Sequence, residues 1–173
     1  MLRAFSGLML ILGAVGATGC SSATFDITQD VPASMIMGDP TSSMMALAGS
    51  GTPQPLPIDI NAATNMRHTG PATSARLKQL TFTITQPAGG TFYFVNYVAI
   101  ALVPQSPTST LPSQIIAVLK PVPAANTIAL DPVPGIDMLP YTNEGADIKA
   151  EATGFLPPED TTYVGRVVIE VHF

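Results

Sequence analysis

The chain has 173 residues, a formal net charge of −5 at neutral pH and only 11% charged residues. Its 7 Lys and Arg residues are outnumbered by 12 Asp and Glu residues, and proteins that bind nucleic acid carry clustered basic residues, so we expect no nucleic-acid partner. The single cysteine, Cys20, excludes a fold that internal disulfide bonds hold together.

The N-terminus has the order of a secretory signal peptide. Arg3 gives a positively charged start, residues 4–15 are mostly apolar, and residues 16–19 are small. The apolar run is shorter than the ~20 residues that a membrane-spanning helix needs. We therefore expect residues 1–19 to be a signal peptide that is removed on export.

The residues around the expected cleavage point are Ala17-Thr18-Gly19-Cys20. They resemble the lipobox of bacterial lipoproteins, in which a signal peptidase cuts before the cysteine and the cysteine is then acylated. The resemblance implies that Cys20 is the lipidation site and that membrane lipid is the partner of this end of the chain. In the enteric version of that class, a serine after the cysteine goes with sorting to the outer membrane, so for Ser21 the resemblance implies the outer membrane of the cell envelope. Ordinary secretion is the alternative, because Ala17-Thr18-Gly19 also fits a small-x-small cleavage site.

Residues 20–57 are expected to form a flexible, lipid-anchored tether with one possible strand. Phe25, Ile27 and Val31 lie at alternating positions, which predicts a strand with one apolar face. The rest of the segment is poor in charge and rich in turn residues, although residues 44–48 also fit a helical turn. Such a tether would let the following domain stand off the bilayer.

Residues 58–173 are expected to form one β-sandwich domain. Apolar and polar residues alternate in several segments; Leu80, Phe82 and Ile84, for example, alternate with three threonines. The expected strands are 56–60, 80–85, 92–103, 114–120, 127–130, 148–152 and 163–173. Residues 61–74 are expected to be a loop with at most a little helix, and residues 131–140 a turn-rich connection.

The last segment carries the clearest pattern. One face holds Tyr163, Val167, Ile169, Val171 and Phe173, and the other holds Arg166, Glu170 and His172. Gly165 falls on the apolar face, where it leaves room for a large neighbour such as Phe82. Because 17 prolines argue against long helices, the sequence predicts an all-β, antiparallel β-sandwich. We expect it to be immunoglobulin-like in outline, with seven or eight short strands.

The sequence offers little for catalysis. A serine hydrolase needs a nucleophile, a base and a group that orients the base, and no Gly-x-Ser-x-Gly motif occurs. The only histidine bases are His68, in a polar loop, and His172, on the polar face of the last strand. We therefore expect neither catalytic residues nor a cofactor.

Metal binding is the alternative that the residues leave open. Calcium would use loop carboxylates, and the candidate pairs are Glu144 with Asp147 and Glu159 with Asp160. Copper(I) would use methionine sulfur. The candidate groupings for copper are Met35 with Met37, Met44 with Met45, and Met66 with His68. Zinc is not expected, because two distant histidines do not supply its ligands.

The function that these observations favour is a lipid-anchored cell-envelope protein of non-enzymatic type, acting in binding, adhesion or structure. A protein or glycan is a possible partner. The alternatives are a calcium- or copper-binding envelope lipoprotein and an envelope enzyme whose site has no familiar motif.

We expect Cys20 to carry lipid. In cells labelled with a clickable palmitate analogue, the wild-type chain should take up label, whereas Cys20→Ser should not, because it lacks the thiol that accepts lipid. Equal labelling of the two chains would contradict this prediction, and so would recovery of the wild-type chain from the soluble fraction alone.

Overall fold

The computed structural model describes residues 23–40, 46–50, 54–55 and 58–173. These residues form nine strands and two short helices. In chain order they are β1 Thr24–Ile36, β2 Ala46–Ser50, β3 Gln54–Pro55, α1 Ile60–Arg67, β4 Ser74–Gln86, β5 Val95–Pro104, β6 Gln114–Leu119, β7 Thr127–Pro132, α2 Leu139–Glu144, β8 Ala146–Phe155 and β9 Thr161–His172.

The strands form one antiparallel sheet that curls on itself. Its order is β1-β9-β4-β7-β6-β5-β8-β2, and β3 also pairs with β8. The corner lies at β7, which pairs with β4 through residues 127–130 and with β6 through Asp131 and Pro132. Apolar side chains from both halves of the sheet meet in a single core. The predicted all-β antiparallel sandwich is thus confirmed, with its two layers formed by the two halves of one sheet.

The strand at the C-terminus has the predicted faces. Ile169 and Val171 are fully buried and Val167 is 3% exposed, whereas Arg166 is exposed. Gly165 packs closely against the facing residues, since a Cβ atom there would lie 2.9 Å from Phe82 Cε1. The prediction that Gly165 makes room for Phe82 is therefore confirmed.

The strand around Phe25 is longer than the sequence indicated. β1 pairs with β9 along its length, from Thr24 opposite His172 to Ile36 opposite Thr161. Residues 24–36 therefore belong to the sandwich, and the sheet begins well before the boundary expected near residue 58. The parts of the expected tether at 20–22, 41–45, 51–53 and 56–57 lie outside the described residues.

Three local predictions were wrong. Ile60 begins α1 and does not continue a strand, because the Asp59 side chain caps the helix by accepting a hydrogen bond from the Ala62 N–H at 2.8 Å. Residues 46–48 belong to β2 and not to a helical turn. β5 begins at Val95 and not at residue 92, because the Val95 N–H donates to the Phe92 carbonyl in a turn.

The number and length of the strands also differ from expectation. The described residues contain nine strands, and β1, β4 and β9 have 13, 13 and 12 residues. These three strands lie side by side, with β9 in the middle. Long neighbours on both sides explain why the alternation is clearest in β9, since its inner face is covered along its whole length.

The two faces of β9 should respond differently to substitution. Ile169→Asp places an unpaired charge in the core and should lower the free energy of unfolding by about 3 to 5 kcal/mol. Glu170→Gln changes a neighbouring, partly exposed residue and should lower it by roughly 0.5 kcal/mol or less. Urea unfolding followed by circular dichroism measures both. Equal unfolding midpoints for the two variants would show that the faces are assigned wrongly.

Candidate functional site

A cleft of about 710 Å³ lies between the two halves of the sheet. Leu80, Phe82 and Val167 line it from the half that contains β4 and β9. Ile100 and Ile116 line it from the opposite half, together with Ile148 and Ala150 of β8. The volume falls within the range of small-molecule sites, roughly 300 to 1,000 Å³.

The cleft touches both ends of the sheet. On one side it is bordered by β1, the terminal strand of the first half, through residues 29–35. On the other side it is bordered by Pro55 of β3, which pairs with β8 at the opposite end. The cleft therefore lies where the curled sheet brings its two terminal regions near one another, and we call this opening the seam.

β1 is irregular where it borders the seam. Val31 pairs with Gly165 and Ser34 pairs with Tyr163, so Pro32 and Ala33 together oppose a single residue of β9. Such a bulge bends the strand and redirects the side chains that follow it. Proline has no N–H group, so it is tolerated at a bulge of a terminal strand.

Among the described residues that line the cleft, the polar ones lie on β1 and β9. Gln29 and Ser34 of β1 are half-buried, and Tyr163, opposite Ser34 on β9, is half-buried with its ring edge-on to Phe82 at 5.7 Å between centroids. Asp30 is the one charged residue among the described residues that line the cleft. Its carboxylate accepts a hydrogen bond from Arg166 Nε at 2.9 Å on the outer face of the sheet.

The connection between β7 and α2 places Met138 in the cleft. The Met138 N–H donates to the Ala75 carbonyl at 2.7 Å, and the Ala75 N–H donates to Asp137 Oδ1 at 2.9 Å. Asp137 Oδ1 also accepts from the Leu139 N–H at the start of α2. These bonds attach the segment to β4, and the Met138 side chain is 1% exposed.

Tyr141 attaches α2 to the other half of the sheet. Its hydroxyl donates to the Pro112 carbonyl at 2.7 Å and lies 3.1 Å from Gln114 Oε1 at the start of β6. The side chain is 3% exposed, and this burial raises the pKa of the Tyr141 hydroxyl. α2 thus links both halves of the sheet beside the cleft.

The outer face of β1, β9 and β4 carries exposed ion pairs. Lys78 of β4 reaches across β9 to Asp26 of β1, with 2.8 Å between Lys78 Nζ and Asp26 Oδ2, and lies 3.8 Å from Glu170. The hydrogen bond with Asp26 raises the pKa of Lys78. Exposed pairs of this kind contribute little to stability.

The two candidate histidine bases lie on different elements. His68 is exposed and ends α1 in the left-handed conformation, with φ of 55°. His172 is half-buried, and its Nε2 lies 3.2 Å from Glu170 Oε2 but outside hydrogen-bonding geometry. In the described part of the chain, neither imidazole forms a hydrogen bond with a serine hydroxyl.

Three of the four candidate metal-binding carboxylates, Glu144, Asp147 and Asp160, accept hydrogen bonds from protein groups. Glu144 accepts a hydrogen bond from the Ser109 hydroxyl, and Asp147 accepts one from Gln105 Nε2. Asp160 accepts one from the Gly38 N–H. Across residues 23–40, 46–50, 54–55 and 58–173, no group of three or more His, Cys, Asp or Glu residues is arranged to hold a metal ion.

The remaining candidates are spread over the surface or fall outside the described residues. Met35 and Met37 are exposed at the end of β1, and Met66 is exposed on α1. Cys20, Met44 and Met45 lie outside the described residues. Of the helices within the described ranges, none is long and apolar enough to cross a membrane.

Sequence reasoning missed the cleft. Its one signal in the sequence is Gln29, a polar residue at an inward position between Ile27 and Val31 of a strand with an otherwise apolar face. A polar residue at such a position marks either a partner inside the fold or a solvent-accessible cavity.

No protein-family model matches the chain, and no curated protein matches it. Among solved structures it is similar to the decameric BFDV capsid protein, at 12% identity and a TM-score of 0.42 over 86% of this chain and 98% of that chain. It is also similar to the 60-mer of the BFDV capsid protein, at 15% identity and a TM-score of 0.42 over 87% of this chain and 92% of that chain. A structure of turnip yellow mosaic virus is similar at 15% identity and a TM-score of 0.29, over 98% of this chain and 90% of that chain. All three TM-scores are below 0.5, so they say nothing about what this chain does.

Stability at high pH should depend on Tyr141. Burial raises the pKa of Tyr141, so its hydroxyl stays neutral in the folded chain at a pH where it ionises in the unfolded chain. Its contribution to stability is therefore complete below about pH 10, the ordinary pKa of tyrosine, and is lost as the pH rises through the folded pKa. The melting temperature of the wild type should therefore fall more steeply above about pH 10 than that of Tyr141→Phe. At pH 7 the variant should be less stable by about 1 kcal/mol, because it lacks one hydrogen bond. Parallel curves above pH 10 would contradict the assignment.

Proposed function

We propose that this chain is an exported, lipid-anchored protein of the cell envelope that binds an apolar ligand without catalysing a reaction. The observation that carries the binding part of the proposal is the 710 Å³ cleft between the two halves of the sheet. The observation that carries the anchoring part is the signal-peptide pattern that ends at Cys20.

The lining of the cleft favours binding over catalysis. The facing walls consist of aliphatic side chains and Phe82, and Asp30, the charged lining residue, directs its carboxylate to Arg166 on the outer face. A hydrolytic site needs a nucleophile and a base within hydrogen-bonding distance of each other. Such walls instead remove an apolar ligand from water, which is worth about 25 cal/mol for each Å² buried.

The location of the protein supports an apolar ligand. A chain acylated at Cys20 works next to a bilayer, because two or three acyl chains hold it there permanently. Apolar molecules are concentrated at that surface. A cleft that opens at the seam therefore faces the compartment in which such ligands are present.

Filling the cleft should weaken binding of an apolar probe. We expect residues 20–173 carrying Cys20→Ser, which is the mature chain without its lipid, to bind N-phenyl-1-naphthylamine saturably, with a rise in fluorescence. Ala150→Phe adds a ring to the wall of the cleft and should weaken binding by about tenfold or more, equivalent to about 1.4 kcal/mol.

The matched control is Ala129→Phe. Ala129 is exposed on β7, so the same substitution adds the same ring away from the cleft. This variant should bind the probe like the parent chain. Equal binding by the two phenylalanine variants, or no saturable binding by the parent, would show that the cleft is not the binding site.

A further inference from the structure

The walls and the rim of the cleft indicate what kind of apolar ligand fits. We infer that the ligand is a neutral single-chain lipid, such as a monoacylglycerol, whose acyl chain lies between the two halves of the sheet and whose hydroxyl-bearing head group lies at the seam beside β1. This inference rests on the proposed function and narrows it to one chemical class.

The volume suits one acyl chain. If each chain carbon takes about the 30 Å³ that a water molecule occupies in the liquid, a twelve-carbon chain needs roughly 360 Å³. The cleft offers about 710 Å³, which leaves room for a small head group or a longer chain. The interior wall, from Ile100 and Ile116 to Met138, offers aliphatic contacts of the kind that a methylene chain makes.

The rim suits a neutral head group. Gln29, Ser34 and Tyr163 line one side of the cleft with an amide and two hydroxyl groups. Gln29 Nε2 donates to the Asp30 carbonyl at 3.2 Å, which leaves its Oε1 as an acceptor, and the two hydroxyl groups can both donate and accept hydrogen bonds. No lysine or arginine is among the described residues that line the cleft. A carboxylate head group would therefore meet no cation in this lining, since Arg166 lies on the outer face, paired with Asp30.

The seam disfavours a peptide ligand. A peptide that extends a sheet needs N–H donors on the terminal strand. The two borders of the seam carry Pro32 on β1 and Pro55 on β3, and neither has an N–H group. The register of β1 is also broken between Val31 and Ser34. The seam therefore offers side-chain contacts more readily than a backbone ladder.

Three lipids with the same twelve-carbon chain test the head group. Equilibrium dialysis compares a neutral, an anionic and a cationic head group. Residues 20–173 carrying Cys20→Ser are dialysed against radiolabelled monolauroylglycerol, laurate or lauroylcholine, each below its critical micelle concentration. We expect monolauroylglycerol to bind about tenfold more tightly than laurate, which meets no cation in the lining, and than lauroylcholine, whose trimethylammonium group has no N–H or O–H to donate to the rim. Equal or tighter binding of laurate or lauroylcholine would overturn the inference, as would no binding of monolauroylglycerol.

Substitutions at the rim test the placement of the head. In the double variant Gln29→Leu and Ser34→Ala, the preference for monolauroylglycerol over laurate should fall to within about threefold, while binding of N-phenyl-1-naphthylamine should persist. The control is the double variant Thr83→Val and Gln79→Leu, which changes two polar residues of β4 outside the cleft lining. It should keep the preference for monolauroylglycerol over laurate. An unchanged preference in the rim variant would place the head group elsewhere and overturn the inference.

The failure of this inference is distinguishable from failure of the proposed function. If the probe binds and Ala150→Phe prevents it, but monolauroylglycerol does not bind, the cleft is a binding site for another apolar ligand. If neither the probe nor any of the three lipids binds, both proposals are wrong.

Discussion

The pairing of β9 with β1 on one side and β4 on the other is the constraint on which the rest of the structure depends. Residues of β9 have partners on both sides over nearly the whole strand, and its inner residues Ile169 and Val171 are fully buried. A shift of one residue would move every inner side chain to the outer face, so burial fixes the register. Once that register is fixed, Gly165 lies between Val31 and Phe82, and Ser34 lies opposite Tyr163. The positions along one border of the cleft follow from this single strand.

The other border depends on β8. This strand pairs with β5 on one side and with β2 and β3 on the other, which places Ile148 and Ala150 on the wall opposite β9. The chain thus builds the two borders of the cleft from segments far apart in sequence. The short connection at Met138 and the Tyr141 hydroxyl then attach α2 to both halves. The cleft is a product of how the sheet curls rather than of any one loop.

The fold class and the faces of β9 could be predicted from the sequence, because a strand whose inner face is covered along its length shows strict alternation. The helix at Ile60 could not, because it depends on one capping hydrogen bond from Asp59 that overrides an alternating pattern. The length of β1 was underestimated because Pro32 interrupts the pattern, although the bulge accommodates it. The cleft could not be predicted at all, since it requires knowing that β1 and β3 end up on either side of one opening. Only Gln29, polar on an inward face, gave a local sign of it.

The corner of the sheet has a mechanical consequence. β6 and β7 are joined by only two residue pairs, Ala117 with Pro132 and Val118 with Asp131, and by a bond from the Val133 N–H to the Ile116 carbonyl. The other neighbours in the sheet order are joined by at least four residue pairs, with four between β4 and β7 and five between β5 and β6. Within the described sheet, the two layers are therefore joined by the smallest amount of strand pairing. The Met138 N–H bond to Ala75 and the Tyr141 hydroxyl bond to Pro112 add a second connection between the layers, so the sandwich is closed by side-chain and loop contacts as much as by the sheet.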